Sequence, residues 1–308
     1  MGKIIIHIGL PKTATTSLQI DFFPKLNKKD INYIGINQPR EGNNNALFLQ
    51  FMKSINTGKE IEVTRSLLEK RLIKGENILL SEEMLVVSDI NKTWKEKLFN
   101  LSDIINSLNY CLIVTVREPV SAMFSYYVGY YQLEYKNINK SFNEIVFEEE
   151  RMEIFHYNKF FTYMFSLFNE NRIEIEKFEN ITSNDFRKLA QILNVNLTSI
   201  AKLELKNHNS RNRNESYILQ GYNVNLGDFL VKKIKRVNIY KYLPKSLLHF
   251  LFFRIFSSIN KVNISKEEKI KKPNERGFHL IKERLYNETK FLNDRYNIDY
   301  ISNIHKKS

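Results

Sequence analysis

Short apolar runs alternate with longer segments of helical periodicity up to about residue 200. The apolar runs predict β-strands over residues 3–8, 32–36, 77–80, 110–116 and 172–178. Between them, apolar residues recur at helical spacing over 66–73 and 160–168. Strands that alternate with helices in this way predict a parallel sheet with helices on both faces. Ligands bind such sheets at the carboxyl ends of the strands, so the motifs that follow strands carry the most functional weight.

The pattern changes after about residue 205, where the strand signal ends. Helices are predicted at about 214–236, 243–260 and 278–296. We interpret this region as a helical C-terminal cap on a single domain that spans residues 1–308.

Composition narrows the class of partner. The formal charge of +13 over 308 residues favours anionic partners, namely nucleotides, nucleic acid, acidic glycans or a negative membrane surface, without choosing among them. The one cysteine, Cys111, excludes an intrachain disulfide and indicates a reducing compartment. The first residues lack the pattern of a signal peptide, and the chain lacks an apolar window long enough for a transmembrane helix. We therefore expect a cytoplasmic protein.

The first predicted strand leads into a loop of the kind that holds phosphate. The segment reads Gly9, Leu10, Pro11, Lys12, Thr13, Ala14, Thr15, Thr16 and Ser17, and a helical pattern follows. Backbone N–H groups and the helix dipole favour an anion at such a junction. Compared with the nucleotide-triphosphatase loop, Gly9 matches the first glycine, Thr15 replaces the lysine, and the lysine has moved to Lys12. The fold class predicted is α/β, with a P-loop-like central parallel sheet flanked by helices.

The displaced lysine indicates a donor without a γ-phosphate. At the crest of the loop, Lys12 could offset charge that develops on a leaving phosphate. Such a donor needs no metal, and we expect none.

A second basic motif follows the strand predicted over 110–116. Arg117 stands at its carboxyl end, Pro119 suits the first turn of a helix, and Ser125 lies about two turns along it. An arginine fork with a nearby hydroxyl is a good receptor for a terminal phosphate.

Two adjacent carboxylates, Glu82 and Glu83, follow the strand predicted over 77–80. Either could accept a proton from an attacking hydroxyl if partial burial raises its pKa. The alternatives are a structural role at a helix N-terminus and a histidine base. His7, within the first strand, could face the site or be a satisfied core histidine, and His156 could face the substrate.

These motifs resemble the family of sulfotransferases that use 3′-phosphoadenosine 5′-phosphosulfate (PAPS). The first loop is similar to that family's Gly-x-Pro-Lys-Thr-Gly-Thr-Thr-Ser-Leu, with Ala14 where glycine is usual. Arg117, Pro119, Ser125 and Tyr127 match its Arg-x-Pro and Ser-x-Tyr motif, and the second arginine often found there is absent.

The resemblance implies a role for each site residue. It assigns the 5′-phosphosulfate to Pro11, Lys12, Thr13, Ala14, Thr15, Thr16 and Ser17. It assigns the 3′-phosphate to Arg117 and Ser125. Bacterial members have Ser-Ser-Glu-x-Leu before the second motif, and alignment on Leu85 makes Glu83 the general base, with Glu82 as the alternative.

Weaker similarity continues along the chain, at residues 178–181, 208–213 and 286–297. Bacterial members of this type commonly sulfate carbohydrate hydroxyls, so the resemblance implies a glycan or glycolipid acceptor. Basic residues at 232–236 precede an apolar, aromatic run at 247–256. The region of about 243–260 is therefore either a buried cap helix or a peripheral contact with the inner face of a membrane.

Two rival functions remain open. A phosphotransferase predicts ATP binding with Mg²⁺, which the displaced lysine disfavours. A non-catalytic module that binds nucleic acid or acidic polysaccharide predicts salt-dependent binding that does not need Lys12. A function of this kind would not explain why the two motifs follow successive strands in this order. We therefore expect no nucleic-acid partner.

Overall fold

A parallel β-sheet forms the centre of the computed structural model, which describes residues 1–37, 44–131, 135, 140–196, 217–225, 263–271 and 273–300. Its strands are β1 (Ile4–Gly9), β2 (Asn32–Tyr33), β3 (Ile78–Ser81), β4 (Tyr110–Val116) and β5 (Ile173–Lys177). They are ordered β2-β3-β1-β4-β5, and every pair is parallel. The predicted α/β fold with a central parallel sheet is confirmed, and each strand lies where the sequence predicted one.

Helices connect the strands. The α-helices are α1 (Thr15–Ser17), α2 (Ala46–Thr57), α3 (Ile61–Ile73), α4 (Trp94–Ile105), α5 (Pro119–Tyr130), α6 (Phe142–Glu148), α7 (Tyr157–Leu167), α8 (Phe178–Thr182), α9 (Arg187–Leu193), α10 (Glu275–Arg284) and α11 (Tyr286–Tyr296). A π-helical turn (Leu18–Phe22) continues α1, and 3₁₀ turns span Phe23–Lys25, Glu83–Leu85, Glu150–Phe155 and Glu170–Arg172. The predicted helices at 66–73 and 160–168 correspond to α3 and α7.

The core packs against both faces of the sheet. On one face, Ile5 of β1 and Ile113 of β4 are buried with Leu18 and Phe22 from the helical turn after the first loop and Leu189 from α9. All residues of β1, β3 and β4 are buried, which explains why these strands read as continuous apolar runs rather than as alternating patterns.

The C-terminal region departs from the prediction. Strand β6 (Tyr217–Asn225) lies within the helix expected over 214–236, so that expectation is wrong over residues 217–225. It pairs antiparallel with β7 (Asn263–Lys271). The two partners lie far apart along the chain, and local periodicity does not encode such a pairing. The helix predicted over 278–296 is confirmed as α10 and α11, whereas the segment of about 243–260 lies outside the described residues.

The chain forms two compact units. One comprises residues 1–127, 138–210 and 275–308, and the other comprises 128–137 and 211–274. The parallel sheet and the candidate site belong to the first unit, and the β6–β7 pair belongs to the second. The single-domain organisation stays a prediction. Within the described ranges, no helix combines the length and apolar character needed to cross a bilayer.

Candidate active site

The three sequence motifs leave the same edge of the sheet. Lys12 follows β1, Glu82 and Glu83 follow β3, and Arg117 follows β4. Because these strands are adjacent and parallel, their carboxyl ends lie side by side. This edge is where open α/β sheets bind ligands.

The loop after β1 holds two residues in the left-handed backbone region. Lys12 has φ 67° and Ala14 has φ 65°, and neither residue is glycine. Such conformations cost free energy for residues with a Cβ and cluster at functional sites. Thr13 stabilises the turn, because both its N–H (3.3 Å) and its hydroxyl (2.5 Å) donate to the carbonyl of Leu10.

The first glycine of the loop is required by close packing. A Cβ at Gly9 would lie 1.9 Å from Thr15 Oγ1 and 2.9 Å from the ring of His7. Thr15 is buried, and among the described residues its hydroxyl has no hydrogen-bond partner. A buried polar group without a partner is costly, so this hydroxyl suits a polar ligand atom. The loop thus fits an anionic group held by backbone amides and a hydroxyl.

Arg117 connects the second motif to the first. Its Nη1 donates to the backbone carbonyl of Lys12 at 3.1 Å, across 105 positions of sequence. Its guanidinium also lies over the ring of Phe178, 4.4 Å from the centroid. The residues predicted for the two ends of one nucleotide are therefore in direct contact through the crest of the loop.

The helix that carries Ser125 begins as predicted. Pro119 is the first residue of α5, and the carboxylate of Glu118 accepts from the N–H groups of Val120 and Ser121. This cap satisfies amides that have no partner inside the helix. Ser125 is half-buried on α5.

The two carboxylates after β3 have different environments. Glu82 is 2% exposed, and its Oε1 accepts from the N–H of Met84 at 2.9 Å, which caps the turn Glu83–Leu85. Glu82 therefore has the structural role that the sequence allowed for this pair, that of an acid at a helix N-terminus. Glu83 is half-buried at the first position of the turn.

Lys97, which the sequence did not single out, fixes the segment after Glu83. This α4 residue is fully buried, and its ammonium donates to the carbonyls of Met84 (3.3 Å) and Val87 (2.7 Å) and to the carboxylate of Asp89 (2.6 Å). Buried lysines are uncommon and need such partners. The three acceptors of Lys97 come together only when the chain folds. In the sequence, the one sign of this role is that a lysine stands within an apolar helical stripe.

His7 is a core residue rather than a base. Its ring nitrogens bond the hydroxyls of Ser81 and Thr115, each at 2.8 Å, and link β1 to both neighbouring strands. Gln19 donates to Ser81 as well. Complete burial lowers the pKa of His7 to about 3, so the ring is neutral, with one nitrogen donating and the other accepting.

Two further residues considered from the sequence are His156 and Cys111. The ring of His156 bonds the carbonyl of Val146 at 2.9 Å, which satisfies it within the fold. Cys111 is buried and unbonded to another cysteine, and burial raises its pKa. The polar segment 208–213 lies outside the described residues. Across the described ranges, no three His, Cys, Asp or Glu side chains group in a way that could hold a metal ion.

Comparisons with known proteins gave structural similarity only. No family model matches the chain, and no curated protein matches its sequence. A sulfotransferase from Alicyclobacillus acidocaldarius is similar with a TM-score of 0.41 at 14% identity, over 79% of this chain and 97% of that one.

Two further solved structures resemble the chain. Mouse sulfotransferase SULT7A1 complexed with PAP gives a TM-score of 0.37 at 12% identity, over 65% of this chain and 64% of that one. Retinol dehydratase in complex with androsterone and inactive cofactor PAP gives 0.33 at 11% identity, over 97% and 83%.

Proposed function

We propose that this protein is a sulfotransferase that moves a sulfuryl group from PAPS to a hydroxyl of an acceptor. The observation that carries the proposal is the contact between Arg117 Nη1 and the Lys12 carbonyl. It joins a phosphate-type loop with a displaced lysine to an arginine that leaves the neighbouring strand. A nucleotide with anionic groups at both its 5′ and 3′ positions needs two such receptors a short distance apart.

In this proposal, each end of the donor has its own receptor. The N–H groups of residues 14–17 and the hydroxyls of Thr15, Thr16 and Ser17 hold the 5′-phosphosulfate at the start of the helical segment, while Pro11 and Thr13 shape the loop. The Thr15 hydroxyl, which has no hydrogen-bond partner in the part of the chain that the structure describes, supports this assignment. Arg117 and Ser125 hold the 3′-phosphate.

The chemistry is a single in-line displacement at sulfur. An oxygen–sulfur bond forms to the acceptor hydroxyl while the bond between sulfur and the bridging phosphate oxygen breaks. The acceptor proton passes to Glu83, and 3′-phosphoadenosine 5′-phosphate (PAP) leaves. Lys12 stabilises the charge that develops on the leaving phosphate. We assign the base to Glu83 because alignment on Leu85 places it on the family's glutamate, and because Glu82, at 2% exposed, has little access to an acceptor.

The acceptor in this proposal is a carbohydrate, as a free glycan or a glycolipid. The basis is the resemblance of the motifs to bacterial carbohydrate sulfotransferases together with the net positive charge. Transfer of labelled sulfuryl from PAPS to a panel of glycans and glycolipids tests it, with simple alcohols as controls. Labelling of alcohols alone would contradict a carbohydrate acceptor.

Calorimetric binding tests the donor assignment directly. PAP is titrated into the full chain in EDTA, with ATP and AMP as comparison ligands. We expect micromolar binding of PAP that is lost in Arg117→Ala. A preference for ATP that requires Mg²⁺ would replace the proposal with a phosphotransferase. Polyanion binding that persists in Lys12→Ala, without PAP binding, would replace it with a non-catalytic module.

A further inference from the structure

Two tyrosine hydroxyls hold the backbone from which the Arg117 side chain projects. The hydroxyl of Tyr157, on α7, accepts from the N–H of Arg117 at 3.2 Å and donates to the carbonyl of the same residue at 2.5 Å. The hydroxyl of Tyr300 contacts the carbonyl of Val116 at 3.3 Å and the carboxylate of Glu179 at 2.8 Å. The peptide group between Val116 and Arg117 is thus contacted at both of its polar atoms.

Tyr157 bonds both polar backbone groups of one residue, which is more than a buried tyrosine needs to satisfy its hydroxyl. β4 ends at Val116, so Arg117 is the first residue beyond the strand. Its N–H and C=O would ordinarily bond to a strand or to water. A single buried hydroxyl satisfies both instead, since Tyr157 is 0% exposed. Burial also raises the pKa of Tyr157, so the hydroxyl keeps its proton and remains a donor.

Arg117 is consequently fixed at both ends of its side chain. The tyrosines hold its backbone, while Phe178 and the Lys12 carbonyl hold its guanidinium. A long side chain placed in this way loses little further freedom when it binds a phosphate, which favours affinity. Groups that orient a ligand-binding residue are as necessary to a site as the residue itself.

We propose that Tyr157, supported by Tyr300, is a positioning residue that sets the preference for a nucleotide carrying a 3′-phosphate, by fixing the backbone of Arg117. The inference rests on the proposed function, because it assumes that Arg117 receives this phosphate. It assigns to α7 and to the residues after α11 a part in donor specificity. Neither region was assigned such a role from the sequence.

The test is the ratio of the affinities for PAP and AMP, which differ by the 3′-phosphate. Tyr157→Phe removes one oxygen and keeps the ring. We expect PAP to bind about tenfold more weakly and AMP to change by less than about twofold, because only the 3′-phosphate receptor is displaced. For Tyr300→Phe we expect about a threefold loss for PAP alone, since its bond to the peptide is longer and shared.

Two controls separate positioning from general loosening. Tyr163 lies on the same helix and donates to the backbone carbonyl of Lys95, so Tyr163→Phe removes an equivalent bond elsewhere and should leave the ratio unchanged. In an Arg117→Ala background, where PAP has lost its micromolar affinity and both ligands are titrated at higher concentration, Tyr157→Phe should cause no further change in the ratio, because the residue that it positions is absent.

The outcomes are distinguishable from a failure of the proposed function. If the wild-type chain does not prefer PAP to AMP, the sulfotransferase assignment fails. If the wild type prefers PAP and Tyr157→Phe keeps the ratio, or weakens both ligands equally, the positioning role is wrong. If Tyr157→Phe does not fold, Tyr300→Phe decides, and an unchanged ratio there overturns the proposal.

Discussion

Two loops leave the same edge of the sheet, one after β1 and one after β3. They differ in how far the chain itself supplies partners for their polar groups. The loop after β1 holds Lys12 and Ala14 at positive φ and buries the Thr15 hydroxyl, for which the described ranges supply no hydrogen-bond partner. The segment after β3 is instead closely bonded. Glu82 caps its first turn, and Lys97 binds three of its oxygen atoms.

The difference indicates different tasks. A loop that carries strain and an unsatisfied donor is arranged for a partner that is not part of the chain. A segment whose polar groups are already satisfied is arranged to keep a fixed position. We infer that the first loop binds the donor and that the second holds the base steady.

Removal of the base should give the largest effect. Glu83→Gln should lower the rate of sulfuryl transfer by about 10²–10⁴, because proton acceptance is lost in the transition state. Single-turnover transfer from PAPS to the acceptor identified in the glycan panel measures it. Glu82→Gln is the matched control, since glutamine keeps an oxygen for the Met84 N–H and should be nearly as active. Near-full activity of both variants would mean that neither residue is the base.

Neutralising the crest of the first loop should have the next largest effect. Lys12→Met should lower the turnover of PAPS by roughly 10²–10³, since one charge-stabilising donor is lost. PAP affinity should fall less than turnover, which separates chemistry from binding. The matched control is Lys25→Met, which removes an exposed lysine from the 3₁₀ turn Phe23–Lys25. Equal losses in the two variants would indicate a general charge effect.

Loosening the second loop should affect stability first. Lys97→Met leaves the carbonyls of Met84 and Val87 without a donor and should lower the free energy of unfolding by about 2 kcal/mol. Denaturant unfolding measures it. Lys95→Met removes a partly exposed lysine from the same helix and should change stability by less than about 0.5 kcal/mol. An unchanged free energy of unfolding in Lys97→Met would show that the segment after β3 does not depend on the hydrogen bonds of Lys97.

Relieving the strain in the first loop should have the smallest effect and the opposite sign. Ala14→Gly removes the Cβ from a left-handed residue and should raise the free energy of unfolding by about 1 kcal/mol. Ala190→Gly, in a helix, should lower it by about the same amount or more. Thermal unfolding of both variants compares them. Destabilisation by Ala14→Gly would mean that the loop is not strained at this position.

The sequence predicted those parts of the site that depend on local patterns of strands and turns. Lys12 and Arg117 could be found because each follows a buried strand, and parallel strands align their carboxyl ends. Tyr157 and Lys97 could not be found in this way. The Tyr157 hydroxyl bonds to backbone groups 40 positions away, and the Lys97 ammonium bonds to backbone carbonyls 10–13 positions away. An apolar helical stripe does not indicate which backbone groups such a hydroxyl or ammonium will contact.

The sequence by itself determined the five parallel strands, the helices between them and the order of the two anion motifs, because burial on both faces and turn chemistry leave local patterns. Only the tertiary structure decided that Arg117 contacts the Lys12 carbonyl and that residues 217–225 form a strand paired with residues 263–271. These outcomes depend on pairs of groups that are distant along the chain, and their energies exist only once folding has brought the partners together.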